Sequence, residues 1–103
     1  MIDKNKIIET VRERLKALPV GHYLDLRTYK RNRSVIIVKK GKGNLLVIEN
    51  GYSQERFHLK EEKLNKLLKT LLRKEFPRSN RIRLYVMGNF KENEALKVKR
   101  KVL

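Results

Sequence analysis

Two short apolar runs, VIIV at residues 35–38 and LLVI at residues 45–48, restrict the fold of this chain more than any other feature. Each is too short for a buried helix and is bounded by charged, polar or glycine residues. A run of this kind reads as a strand that is apolar on both faces, the mark of a central position in a sheet. The intervening GKGN, residues 41–44, closes them into a hairpin. Whatever fold forms must therefore cover both sides of this hairpin.

The flanking segments supply its neighbours. Residues 23–29 alternate, with Leu24, Leu26 and Thr28 on one face and Tyr23, Asp25, Arg27 and Tyr29 on the other. Asn50-Gly51 is a strong signal for a two-residue type I′ turn, which needs positive φ at both positions. It pairs 45–49 with about 52–58, where YSQERFH is polar enough for an edge strand. RIRLYVM, residues 81–87, alternates again, with Ile82, Leu84 and Val86 inward.

Two stretches have helical period. Ile7, Ile8, Val11, Leu15 and Leu18 predict a helix over residues 3–18, ended by Pro19 and Gly21. Leu64, Leu67, Leu68, Leu71, Leu72 and Phe76 predict a second over 61–76, ended by Pro77. The order is α-β-β-β-β-α-β. A meander alternates direction, so the last strand fits antiparallel beside the strand at 23–29, and both helices cover one face. The expected class is α+β, a two-layer sandwich of an antiparallel meander sheet with two helices on one face and a basic C-terminal tail. Residues 1–90 form a single domain; residues 91–103, KENEALKVKRKVL, are a basic tail or a short added strand.

Charge points toward function. The chain of 103 residues has 27 Lys or Arg against 11 Asp or Glu, a net charge of +16. The abundance of Lys, Glu and Ile with no Cys is thermophile-like, but ion-pair networks need both signs. An excess of one sign repels itself and is relieved by a polyanion. The acids cluster around residues 49–62, whereas residues 27–44 carry seven Lys or Arg and no acid.

The expected function is a small basic nucleic-acid-binding protein that contacts phosphates mainly by electrostatics, with little sequence readout, DNA or RNA being unresolved. Guanidinium groups pair with phosphate and tyrosine rings stack on unpaired bases. The candidate residues are Arg27, Tyr29, Lys30, Arg31, Arg33, Lys39, Lys40 and Lys42 from the hairpin region, Arg81, Arg83 and Tyr85 from the last strand, and Lys97, Lys99, Arg100 and Lys101 from the tail. The doubly apolar strands 35–38 and 45–48 suggest a homodimer contact, with the tail as the alternative cover. The second reading is a non-enzymatic interaction or adaptor module whose charge serves solubility or thermostability.

Catalysis is not expected. Without Cys there is no thiolate zinc site or cysteine nucleophile. His22 and His58 stand apart with no clustered acids, so neither a metal site nor a cofactor is expected. GKG at 41–43 lacks the spacing and the Ser or Thr of a phosphate-binding loop. Ser34, Ser53 and Ser79 sit in no nucleophile elbow. No signal-peptide or membrane-spanning run is present, so a cytoplasmic protein is expected.

The helix, three-strand meander, helix and strand, with Asp25, Glu49 and Glu13 as candidate acids, resemble the core of the PD-(D/E)xK nuclease family. The resemblance implies a metal-dependent nuclease. The chain departs from the pattern: Glu49 is followed by Asn50 and Gly51 rather than by x-Lys, and Asp25 lies on the first strand of the meander. Paired carboxylates for two-metal chemistry are missing, and a shared topology does not carry function.

Overall fold

The computed structural model describes residues 2–28, 33–51, 53–77 and 80–91. Six strands and two helices follow one another as β1 (Ile2–Asp3), α1 (Ile7–Ala17), β2 (His22–Arg27), β3 (Ser34–Gly41), β4 (Asn44–Asn50), β5 (Gln54–Lys60), α2 (Leu64–Glu75) and β6 (Arg81–Asn89). They form one sheet of order β1-β6-β2-β3-β4-β5, antiparallel at every pairing. β5 is an edge, as its polarity predicts, and β6 lies beside β2. The strand absent from the sequence reading is β1, which pairs Ile2 with Ile82 and Asp3 with Arg81.

The first helix begins later than its periodicity suggests. Asp3 accepts a hydrogen bond from the Asn5 N–H at 3.0 Å and caps a 3-10 turn over Lys4–Lys6. α1 then buries Ile7, Val11 and Leu15, one residue per turn. α2 likewise follows a 3-10 turn, Glu61–Lys63, and buries Leu64, Leu68, Leu71, Leu72 and Glu75. Its C-terminal carbonyls are held by cations: Lys4 Nζ donates to Phe76 O at 2.6 Å, and Arg33 Nη1 donates to Glu75 O at 3.2 Å. Cations suit that end of the helix dipole.

Period-two alternation divides the sheet into two faces. The inner face meets both helices. Leu24, Leu26, Val35, Ile37, Leu45, Val47 and Ile82 join α1 and α2 around Phe76 in the larger cluster. Full burial of each such aliphatic side chain contributes about 1.5–3 kcal/mol. Among the described residues no helix lies on the outer face, yet Tyr23, Ile36, Val38, Leu46 and Ile48 form a second cluster, with Met87 and Phe90 against it. Its four aliphatic members are no more than 5% exposed within a single chain. Phe90 meets Tyr23 edge to face at 5.3 Å, and its N–H donates to Gly21 O at 2.7 Å. Residues 92–103, the expected tail or added strand, lie outside the described residues.

The two hairpin turns exchange roles relative to expectation. Gly41 pairs with Asn44, so Lys42 and Gly43 form the tight turn, with Gly43 at φ 77°. Asn50 pairs with Gln54, which leaves three residues in the connection, and the Gly51 N–H donates to Ser53 O at 3.1 Å. The type I′ turn expected at Asn50-Gly51 does not form, and Gly51 does not have positive φ. Glycine is needed there for space: a Cβ would lie 2.5 Å from Glu75 Oε1 and 3.0 Å from the Arg33 side chain.

Candidate nucleic-acid interface

The outer face brings together the arginine and tyrosine positions of β2 and β6. Asp25 stands opposite Tyr85, and Arg27 opposite Arg83. On the β3 side, Asp25 faces Ile36 and Arg27 faces Ser34. Arg27 and Asp25, two residues apart, share this face. Arg27 Nε donates to Asp25 Oδ2 at 2.9 Å, and Nη2 lies 2.8 Å from the same oxygen. The Arg27 guanidinium also sits 5.4 Å from the centroid of the Tyr85 ring, a cation–π arrangement. Asp25 is 1% exposed and Arg27 7%. Arg27 is thus neutralised internally by a buried partner rather than presented to solvent.

The remaining candidates are distributed. Arg83 and Tyr85 are half-buried and Arg81 is exposed at the start of β6. Lys40 and Lys42 are exposed at the opposite end of the sheet, at the β3–β4 turn. Lys39 shares the parity of Val35 and Ile37 and reaches under α1, where its Nζ donates to Leu15 O at 2.8 Å and closes the helix. Arg33 serves α2 in the same way. Tyr29, Lys30, Arg31, Lys97, Lys99, Arg100 and Lys101 lie outside the described residues.

Three features escaped the sequence reading. Lys66, Lys69 and Arg73 are exposed on α2 and Lys63 on the 3-10 turn before it; the helical period already sets them away from the leucine stripe, but the expected site drew on the strands and the tail instead. An open cleft of about 540 Å³ lies beside Arg12, Lys42, Asn44, Lys60, Glu61 and Glu62, where the Glu61 N–H donates to Gly43 O at 2.9 Å. Finally, Glu49 and Glu75 are buried together at the inner edge of the sheet. Lys74 Nζ is 3.3 Å from Glu49 Oε2, and the Ser53 N–H donates to Glu75 Oε2 at 3.2 Å. Burial, reinforced by the hydrogen bond that protonated Glu49 donates to Glu75, pushes the Glu49 carboxyl up to about 7 against the opposing influence of Lys74.

Asp25 and Glu49 face opposite sides of the sheet, on β2 and β4 with β3 between them. They therefore do not converge on a common ligand. Among the described residues no cluster of three or more His, Asp or Glu is arranged to hold a metal ion, and no helix is long and apolar enough to cross a membrane. No family model, no curated protein and no solved structure matches the chain.

Proposed function

We propose that this protein binds nucleic acid through phosphate contacts, with little sequence readout and without catalysis, in the cytoplasm. The observation that carries this reading is the unequal burial of the two signs of charge. Three acids, Asp25, Glu49 and Glu75, are buried among the described residues, against one cation, Arg27. Burial removes acids from the surface, so the exterior is more basic than the formal charge of +16 already implies. Such a surface repels itself and gains from a phosphate backbone that displaces its counterions.

A salt series with labelled duplex DNA, single-stranded DNA and RNA tests it. The expected result is a log–log slope of about −5 or steeper, equivalent to roughly six or more phosphates engaged. Weak binding to all three ligands at moderate salt removes the reading in favour of a protein-interaction module whose charge serves solubility.

A homodimer through residues 35–38 and 45–48 is the second part of the proposal. It is supported by the apolar cluster on the face without helices and weighed down by the burial of that cluster within one chain. Sedimentation equilibrium across a wide concentration range is expected to give a dimer mass that Leu46→Lys reduces to a monomer. A monomer mass throughout eliminates it.

A further inference from the structure

We infer that the phosphate-contacting ridge is the exposed side of α2, and that its ligand is the backbone of a nucleic-acid duplex. The inference rests on the nucleic-acid reading and moves the principal contact from the sheet to the helix layer.

The cations of the described residues differ in whether the fold already uses them, and the exposed ones extend beyond α2. Lys4, Arg27, Arg33, Lys39 and Lys74 each have an acceptor within the protein. They serve helix ends or buried carboxylates. Lys63, Lys66, Lys69 and Arg73 are exposed, and among the described residues none of their side chains makes an ion pair or hydrogen bond. Their spacings of three, three and four residues place them on one side of the helix, opposite the buried Leu64, Leu68 and Leu71. At 1.5 Å per residue the row is about 15 Å long.

This row is electrostatically unfavourable in isolation. Like charges three or four residues apart destabilise a helix by about 0.2–0.5 kcal/mol per pair. Lys66 also stands in the first turn of α2, where the helix dipole is itself positive, and Glu61 and Glu62 in the 3-10 turn before it offset only part of that charge. A polyanion laid along the row relieves both effects. The chemistry of the ridge favours a duplex over a single strand. Its exposed members are lysine, arginine and Thr70, with no aromatic ring on which an unpaired base stacks. A rigid row of cations instead matches a rigid track bearing one negative charge per about 1.7 Å of axis.

The test compares two variants that each remove three positive charges: Lys66→Gln/Lys69→Gln/Arg73→Gln on the ridge, and Lys40→Gln/Lys42→Gln/Arg81→Gln on the sheet. Glutamine keeps helix propensity close to that of lysine, and matching thermal melts verify that both variants are folded. The probes are a 24-base-pair DNA duplex, an RNA duplex of the same length, the corresponding single strands and phosphatidylserine vesicles. The ridge variant is expected to lose on the order of 100-fold in duplex affinity at low salt, with a slope shallower by about 3. The sheet variant is expected to stay within a few-fold of the wild type, which itself binds duplex more tightly than single strand. Equal losses in both variants, or a larger loss in the sheet variant, overturn the assignment while leaving nucleic-acid binding standing. Wild-type preference for single strands overturns the duplex ligand. Wild-type binding to vesicles but to no nucleic acid overturns both this inference and the reading beneath it.

Discussion

Replacing Asp25 with Ala is expected to lower the stability of the fold by about 3–5 kcal/mol, because it leaves the Arg27 guanidinium buried without its counter-charge. Both groups are almost wholly enclosed on the outer face, and both donor contacts of Arg27 converge on a single carboxylate oxygen. For a domain whose total stability is about 5–15 kcal/mol, a loss of that size shows as a large fall in the urea midpoint at unchanged m-value. The paired replacement Asp25→Leu/Arg27→Met should recover most of the loss, since exchanging a whole buried ion pair for apolar groups is often neutral or stabilising. A single variant within about 1 kcal/mol of wild type would mean that Arg27 turns to water or to another anion once Asp25 is gone. Asp25→Asn adds a functional arm: if it leaves affinity for nucleic acid unchanged, the guanidinium is a structural cation and lies outside the phosphate-contacting surface.

This pair illustrates how far the chain could be read in advance. The architecture followed from parity and period. VIIV and LLVI required a doubly covered centre, the leucine stripes required two helices on one layer, and the polar YSQERFH marked β5 as an edge, as the sheet order bears out. β1 was not legible, because two residues paired to the rim of a sheet carry no periodic signal. The turn at Asn50-Gly51 was misread because dipeptide chemistry is local, whereas the demand on Gly51 comes from Glu75 in α2 and from Arg33. Charge placement was the weakest link. A list of basic residues does not reveal which of them close helices. The parity that puts Lys39 with Val35 and Ile37 held part of the answer, and so did the two-residue spacing of Asp25 and Arg27. The place of Glu75 four residues after Leu71, within the buried stripe of α2, was equally readable as a carboxylate in the core.

That carboxylate and its neighbour set the pH response of the fold. Glu49 is 1% exposed, and burial raises its pKa in the folded protein from 4.5 to about 7. Between those values the folded chain holds a proton that the unfolded chain has released, so stability falls as pH rises through this interval and levels off above about 7. Taken at full size, the shift corresponds to about 3 kcal/mol, at about 1.4 kcal/mol per unit. Glu49→Gln keeps the shape and a hydrogen-bonding head group but cannot ionise. Its stability is expected to be nearly flat from pH 5 to 8 and to exceed that of wild type at pH 8. A wild-type slope retained in the variant would assign the titration to another group. Lys74→Met supplies the opposite perturbation: it removes the cation 3.3 Å from the carboxylate, raises the Glu49 pKa further and deepens the loss at pH 8. The two variants therefore move alkaline stability in opposite directions, whereas removing either side chain from an ordinary ion pair would lower it in both. Lys74 is then retained beside the buried acids to moderate their repulsion, which separates it from Lys66, Lys69 and Arg73, the cations of the proposed ridge.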